Sequence, residues 1–228
     1  MKSAEQEKKY FINPYTNLKD IRKYGSLTIE KGRGIYVYDE NNNKYIEGLA
    51  GLWCVALGFN NKRLIKAANK QLNLLPNYHS FTGKVPLTTL KLSEELVKIA
   101  PKSLTKVLYA NSGSESNDTA IKMAWYYQNA LGRTKKKKII SRYRGYHGVT
   151  IMSGSLTGMD YAHKGFDMPR DFVIHTDSPH YYKDGLTHES SIEFVNRLLK
   201  NLENLILKEG SENIAAMILE PIQGAGGV

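Results

Sequence analysis

Residues 106–131, KVLYANSGSESNDTAIKMAWYYQNAL, contain the pattern that decides the fold class. The apolar run at 106–110 predicts a short β-strand, and the polar turn NSGSESND follows it directly. Apolar side chains then recur at helical spacing, at Ala120, Ala124, Tyr127 and Leu131. A strand that runs through a turn rich in serine into a helix is typical of α/β proteins.

The same alternation of strand and helix patterns continues on both sides of this stretch. Short apolar runs predict strands at 139–140, 172–175 and 214–219. Spaced apolar residues predict helices at 64–75, 88–100 and 192–206. The run at 214–219, IAAMIL, is apolar throughout, as in strands that are covered on both faces. Together these patterns predict an α/β fold with a mostly parallel sheet flanked by helices.

The first sixty residues have a different pattern. Two short runs, 35–38 and 44–46, flank an Asn-rich segment and predict a β-hairpin. The uncharged stretch 48–59, GLAGLWCVALGF, contains three glycines and predicts a tight, buried connection.

The composition restricts the class of protein. The chain has 228 residues, of which 41% are hydrophobic and 24% charged, which excludes a disordered, collagen-like or coiled-coil protein. Its formal net charge is +10, and seven Lys or Arg residues without any Asp or Glu lie within 131–144. A run of this kind is typical of a solvated loop, and nucleic-acid binding remains an alternative.

The location of the protein is predicted from two further features. Cys54 is the only cysteine, so no internal disulfide can form, which fits a reducing compartment. The first residues show no secretory signal pattern, and the longest uncharged apolar-rich run is shorter than the ~20 residues that span a bilayer. We therefore expect a cytoplasmic protein without a membrane partner.

The turn at 111–117, NSGSESN, is the strongest candidate for a binding site. Its glycine lets the backbone approach an anion, and the free N–H groups in the first turn of the following helix would bind a phosphate. A Ser followed by Glu is also the pattern of an ordinary capping box, so both interpretations remain open. The motifs of a P-loop, of a dinucleotide fold and of a hydrolase elbow are missing.

Other polar residues follow the predicted strands. Gly145, Tyr146, His147 and Gly148 come after the strand at 139–140, and Glu220 ends the strand at 214–219, so they are expected at one rim of the sheet. Tyr146 could stack on a flat ring, or it could simply pack in a turn. His175, Asp177 and His180 are metal-ligand types, but their spacing matches no zinc signature, so no metal site is predicted.

Five segments, in this order and spacing, resemble the class III aminotransferases, and most closely the ω-amino-acid and amine:pyruvate branch: GLWCVALGF, NYHSF, YANSGSESNDTAIKMA, RYRGYHG and EPIQGAGGV. The resemblance implies the fold type I architecture of pyridoxal 5'-phosphate enzymes. Residues 51–228 would form an incomplete large domain, which holds the cofactor. Residues 1–50, with the β-hairpin, would form the N-terminal segment of a small domain.

The resemblance also assigns roles to seven residues. It implies that Gly113 and Ser114 hold the cofactor phosphate through backbone N–H groups and the Ser114 hydroxyl. It also implies that Tyr146 stacks on the pyridine ring and that His147 supports the hydrogen-bond network beside it. It implies that Glu220 lies near the ring and helps to orient the aspartate that binds the pyridine nitrogen. Trp53 would line the substrate pocket, and Phe81 would reach into the pocket of a partner subunit. One departure is Ser116, where the family most often has Ala.

The implied activity is the transfer of an amino group from a small amine or ω-amino acid to pyruvate or a similar oxo acid, by a homodimer without a nucleic-acid partner. The family's Schiff-base lysine, pyridine-binding aspartate, phosphate-binding threonine and carboxylate-binding arginine match positions after residue 228. No catalytic residue is therefore assigned, and the chain alone is expected to be nearly or wholly inactive. Two alternatives remain: a non-catalytic phosphate- or nucleic-acid-binding module, and a fragment that does not fold stably alone.

Overall fold

A computed structural model describes residues 3–227 of the chain. The chain divides into two compact units, of which the first ends at Ile99 and the second begins at Ala100. The predicted domain boundary between residues 50 and 51 stays a prediction. None of the helices within the described residues is long and apolar enough to cross a membrane.

The first unit begins with two helices and a small antiparallel sheet. The helices are α1 (Ser3–Tyr10) and α2 (Leu18–Tyr24), and the strands are β1 (Ile29–Arg33), β2 (Tyr36–Asp39) and β3 (Lys44–Ile46). The hairpin prediction is confirmed, because β2 and β3 pair antiparallel across the Asn-rich turn. Asp39 holds this turn: its carboxylate accepts hydrogen bonds from the backbone N–H groups of Asn41 and Asn43, at 3.0 and 2.8 Å.

The prediction that 48–59 is a tight, buried connection is right about the turn and wrong about burial. Residues Ala50–Trp53 form a single turn, α3, in which all four φ angles are positive, between 50° and 68°. The backbone therefore turns with left-handed geometry, which an L-residue other than glycine adopts only at an energetic cost. Leu52, Trp53 and Leu57 are exposed among the residues that the structure describes.

Two longer helices complete the first unit: α4 (Lys62–Leu74) and α5 (Leu87–Ile99). Both confirm predicted helices. Asn61 begins α4 by accepting hydrogen bonds from the N–H groups of Arg63 and Leu64. Neither helix contributes a buried residue within the described part of the chain, so their apolar faces remain accessible.

The second unit is built on a three-stranded parallel sheet. Its central strand, β4 (Lys138–Arg142), lies between β5 (Val173–Thr176) and β6 (Ile214–Met217). The surrounding helices are α6 (Gly113–Ala130), α7 (Ile151–Leu156), α8 (Tyr181–Asp184) and α9 (Ser191–Glu209). Both pairs of strands are parallel, which confirms the predicted α/β class and the parallel sheet.

The core of the second unit lies on β4. Ile139 and Ile140 are each 1% exposed, and Ile139 belongs to a cluster with Ile121 of α6 and Leu156 of α7.

The prediction of a strand at 106–110 is wrong. A strand requires a neighbour that accepts and donates its backbone hydrogen bonds, and among residues 3–227 no strand pairs with this segment.

Candidate functional site

The first turn of α6 is capped by side chains on both sides of Gly113, and it leaves two backbone N–H groups unpaired. Ser112 Oγ accepts a hydrogen bond from Glu115 N at 3.2 Å, and Glu115 Oε2 accepts one from Asn111 N at 2.8 Å. These contacts leave the backbone N–H groups of Gly113 and Ser114 without a protein acceptor in the described part of the chain. A Cβ atom on Gly113 would meet nothing within 4 Å, so no protein atom crowds the side-chain position of this residue.

The loop after β4 carries Tyr146 and His147 and approaches α6 closely. Gly148 in this loop has a φ of +133°, which side chains rarely permit. A Cβ atom at Gly148 would lie 2.5 Å from Ser114 Oγ and would also collide with Ser153. Glycine at this position therefore lets the loop lie directly against the start of α6.

Three polar side chains of α6 hold the loop. Ser114 Oγ accepts a hydrogen bond from Val149 N at 3.0 Å, and Asn117 Nδ2 donates one to the His147 carbonyl at 2.6 Å. Asp118 Oδ1 accepts hydrogen bonds from Thr150 Oγ1 and Ser153 N, both at 2.8 Å. Because Ser153 N is one of the first N–H groups of α7, Asp118 caps that helix. The first two turns of α6 therefore hold both the loop and the start of α7.

Glu220 holds the same loop from the other side. Its Oε1 accepts a hydrogen bond from Tyr146 N at 2.8 Å, and its Oε2 accepts one from Gly224 N at 3.1 Å. The Glu220 carbonyl accepts a third hydrogen bond, from Arg142 Nη1. The Tyr146 residue remains 38% exposed, so its backbone is fixed while its ring can receive a partner.

His147 is buried beside these contacts. It is 6% exposed, its backbone N–H donates to Thr157 Oγ1 at 3.0 Å, and its Nε2 has no hydrogen-bond partner among the described residues. Burial lowers the pKa of His147 below its ordinary value, and this effect outweighs the opposing influence of the Glu220 carboxylate. The imidazole is therefore neutral near pH 7, and Nε2 is available to a further polar group.

The three residues of metal-ligand type have other contacts. His175 Nε2 lies 3.2 Å from the Leu156 carbonyl, Asp177 accepts a hydrogen bond from Asn201, and His180 Nδ1 accepts one from Lys183 N. The part of the chain that the structure describes contains no group of three His, Cys, Asp or Glu residues arranged to hold a metal ion.

The basic run is largely used within the fold. Lys136 Nζ donates to the carbonyls of Ser211 and Ile214, at 2.8 and 3.1 Å. Lys137 Nζ donates to Asn129 Oδ1, and Lys138 forms an ion pair with Glu209. These lysines join the start of β4 to its neighbours, which argues against the nucleic-acid interpretation.

The two predicted substrate residues lie in the first unit. Trp53 is 67% exposed on the left-handed turn, and Phe81 is 76% exposed in the segment between α4 and α5. Their roles stay predictions. The structure instead adds residues that sequence reasoning missed: Asn117, Asp118, Thr150, Ser153 and Thr157. The alternation of small polar residues and glycine in 153–158, SGSLTG, is the one signal that could have indicated a buried polar loop.

Comparison with known proteins identifies the family of the chain. The family described as Aminotransferase class-III matches residues 20–228. Gamma aminobutyrate transaminase 1 of Solanum lycopersicum is 55% identical over 203 residues, which are 89% of this chain and 39% of that protein. Vanillin aminotransferase of Capsicum chinense is 52% identical over 203 residues, 89% of this chain and 44% of that protein. The chain thus spans less than half the length of these curated relatives.

Solved structures are similar over the whole chain. The omega transaminase of Pseudomonas jessenii in complex with PMP, the pyridoxamine form of the cofactor, is 50% identical with a TM-score of 0.98. The match covers 100% of this chain and 50% of that one. A PMP-bound aminotransferase of Vibrio fluvialis is 38% identical with a TM-score of 0.96, and the match covers 100% of this chain and 50% of that one. The chain therefore belongs to the class III aminotransferases, the pyridoxal-phosphate-dependent transaminases of fold type I.

Proposed function

We propose that this chain provides the phosphate- and ring-binding part of a transaminase that moves an amino group from a small amine or ω-amino acid to pyruvate or a similar oxo acid. One observation carries the proposal: the N–H groups of Gly113 and Ser114 stand at a helix start without a protein acceptor in the described residues. Backbone donors in this arrangement bind a phosphate.

The residues present fit pyridoxal phosphate. Gly113 and Ser114 would hold its phosphate, and the exposed ring of Tyr146 would stack on its pyridine. When bound, the cofactor supplies an electron sink for the carbon that carries the amine. Glu220 fixes the backbone at Tyr146 and so orients the stacking ring, while its own carboxylate is occupied by two N–H donors.

His147 supplies a buried hydrogen-bonding position beside the ring. Its lowered pKa keeps the imidazole neutral, so it can orient a neighbouring group without adding a positive charge to the site. The unpartnered Nε2 would bind a group that completes the site from outside the described residues.

Trp53 and Phe81 would select the amine. A solved omega transaminase that is 50% identical to this chain carries replacements of a tryptophan, a phenylalanine and an arginine, engineered for asymmetric synthesis of enantiopure bulky amines. Its tryptophan and phenylalanine are separated by the same number of residues as Trp53 and Phe81. The complete enzyme, assayed with 4-aminobutyrate and with a bulky aromatic amine, should gain activity on the bulky amine when Trp53 is replaced by glycine.

The proposed protein is a homodimer. Phe81 of each subunit would line part of the substrate pocket of the other subunit. Sedimentation equilibrium of the complete enzyme tests the assembly: a monomer at micromolar concentration would contradict it.

A cytoplasmic location also stays a proposal. The tomato relative is described as mitochondrial, and cell fractionation distinguishes the two locations.

Pyridoxamine phosphate provides a sharp test of the site, because it binds without forming a covalent bond to the protein. Gly113 is the first helical residue, where proline is tolerated, and Ser112 before it is already extended, with φ −149° and ψ 164°. Gly113→Pro should therefore remove one N–H donor and leave α6 intact. Loss of a charge-assisted hydrogen bond of about 1.5–3 kcal/mol predicts a roughly tenfold or greater loss of affinity by titration calorimetry.

Gly113→Ala is the matched control. It keeps the N–H group, and its Cβ meets nothing within 4 Å, so its affinity should equal that of the wild-type chain. Pyridoxamine, which lacks the phosphate, should bind both variants equally. Equal binding of pyridoxamine phosphate by the proline and alanine variants would contradict the proposed function, as would no binding to the wild-type chain.

A further inference from the structure

The loop that carries Tyr146 is held at three successive places by three different residues. Glu220 binds the N–H of Tyr146, Asn117 binds the carbonyl of His147, and Ser114 binds the N–H of Val149. Of these three residues, Ser114 alone also lies in the first turn of α6, beside the unpaired N–H groups of the proposed phosphate site.

The Ser114 hydroxyl can still donate a hydrogen bond. Its oxygen accepts the hydrogen bond from Val149 N at 3.0 Å, whereas its proton has no acceptor in the described part of the chain. A hydroxyl can donate one hydrogen bond while it accepts another. Its proton is thus free to reach an anion bound at the N–H groups of Gly113 and Ser114.

We propose that Ser114 is a positioning residue that couples phosphate binding to the placement of Tyr146. In the bound state its hydroxyl donates to a phosphate oxygen and accepts from Val149 N–H, so one side chain fixes the anion and the loop that bears the stacking ring. This inference rests on the proposed function, and it goes further because it assigns to Ser114 an effect on a ligand's ring as well as on its phosphate.

The physical basis of the coupling is the polarisation of the hydroxyl. When the O–H group donates to an anion, its oxygen becomes a stronger acceptor, so the bond from Val149 N–H strengthens. The loop backbone already lies close to α6, because a Cβ atom at Gly148 would be only 2.5 Å from Ser114 Oγ, so a stronger bond from Val149 N–H needs no movement of the loop. Phosphate binding should therefore stiffen the loop at Val149.

Amide hydrogen exchange measured by NMR on the 228-residue chain tests the contact directly. We expect Ser114→Ala to increase the exchange rate of the Val149 amide roughly threefold to tenfold, as for the loss of one neutral hydrogen bond. The Ser153 amide, which Asp118 holds, should not change. Ser116→Ala is the matched control, because Ser116 is exposed on the same helix and its side chain has no hydrogen bond among the described residues.

Two ligands test the coupling itself. Saturating pyridoxamine phosphate should slow exchange at Val149 in the wild-type chain and in Ser116→Ala, and have no such effect in Ser114→Ala. Pyridoxamine, which has no phosphate, should bind Ser114→Ala several-fold more weakly than it binds Ser116→Ala, because Tyr146 is less firmly placed. A residue that acted on the phosphate alone would leave pyridoxamine affinity unchanged.

The possible outcomes separate this inference from the proposed function. If pyridoxamine phosphate binds, depends on the Gly113 N–H, and yet Ser114→Ala leaves Val149 exchange and pyridoxamine affinity unchanged, the coupling is wrong and the proposed function remains. If pyridoxamine phosphate does not bind the wild-type chain, the proposed function fails and the coupling fails with it. Faster Val149 exchange in Ser114→Ala, together with loss of the ligand effect, supports both.

Discussion

The two units of the chain differ in how they present their candidate site residues. Within residues 3–99, the buried residues are Val37 and Asp39, and helices α1, α2, α4 and α5 contribute none. The second unit has a core on β4 and a loop tied to α6 and Glu220 by side-chain hydrogen bonds. The residues proposed to bind the phosphate and the ring thus lie in the unit that has its own core, whereas Trp53 and Phe81 are exposed.

This difference predicts a large contrast in the response to truncation of apolar side chains. Leu156 is fully buried in the cluster with Ile139, so Leu156→Ala should reduce the free energy of unfolding by about 2–5 kcal/mol. Leu64 on α4 is 53% exposed, so Leu64→Ala should change it by no more than about 0.5 kcal/mol. Urea unfolding followed by far-UV circular dichroism, which reports the helices of both units, measures both. Equal effects would show that the first unit has a core comparable to that of the second.

A smaller effect is expected from the glycine that brings the loop to α6. Gly148→Ala introduces a Cβ atom against Ser114 and Ser153 at a positive φ, which should cost about 1–3 kcal/mol. It should also weaken the binding of pyridoxamine phosphate more than tenfold, as measured by calorimetry. Gly113→Ala, at the open position, is the control. Unchanged binding by Gly148→Ala would mean that the loop has room that the structure does not show.

The histidines of the second unit predict a pH dependence. Burial lowers the pKa of His147 and of His175, so in the range just below their unfolded pKa of about 6.5 the unfolded chain binds more protons than the folded chain. Stability should therefore be full above about pH 6.5 and fall as the pH decreases towards the folded pKa values. The slope is at most about 1.4 kcal/mol per histidine and pH unit.

Urea midpoints at pH 7.5, 6.5 and 5.5 measure this dependence. His147→Gln should reduce the slope, because one of the two lowered pKa values is then removed. A slope that is the same in His147→Gln and in the wild-type chain would contradict the burial of a neutral imidazole at this position.

The smallest effect concerns the turn that carries Trp53. Glu47 Oε1 accepts hydrogen bonds from Leu49 N at 3.0 Å and from Gly51 N at 3.4 Å, and so supports the left-handed turn. In a Trp125→Phe background, Glu47→Ala should lower the fluorescence anisotropy of Trp53, while Glu30→Ala should not.

Leu52→Gly sharpens the same point. Glycine removes a left-handed cost of about 1–2 kcal/mol but adds about 0.5–1 kcal/mol of backbone entropy, so stability should change by no more than about 1.5 kcal/mol. A much larger loss would mean that Leu52 is held by contacts that its 71% exposure does not reveal.

The sequence allowed much of the second unit to be predicted because its signals are local. The apolar run at 139–140 and the run at 214–219 marked two strands, and the rule that parallel strands end at one edge placed Tyr146 near Glu220. The Ser–Glu pattern and the glycine of α6 indicated a cap and an anion site, and the structure contains both the cap and the open donors.

The remaining features depend on contacts between distant parts of the chain. Asn117 and Asp118 bind loop residues about thirty positions later, and no periodic pattern records such pairs. The segment 106–110 has strand-like composition but lacks a paired neighbour among the described residues. Positive φ angles at Leu52 and Trp53 contradict the preferences of those residue types, so no local rule would predict that turn.

The most direct test of the account is an NMR titration of the 228-residue chain, labelled with ¹⁵N, with pyridoxamine phosphate and separately with pyridoxamine. We predict that pyridoxamine phosphate shifts the amide signals of Gly113 and Ser114 most strongly, that pyridoxamine shifts these two much less, and that the amides of α4 respond to neither. Shifts at Gly113 and Ser114 no larger than those along α4 would contradict the claim that the start of α6 is a phosphate site.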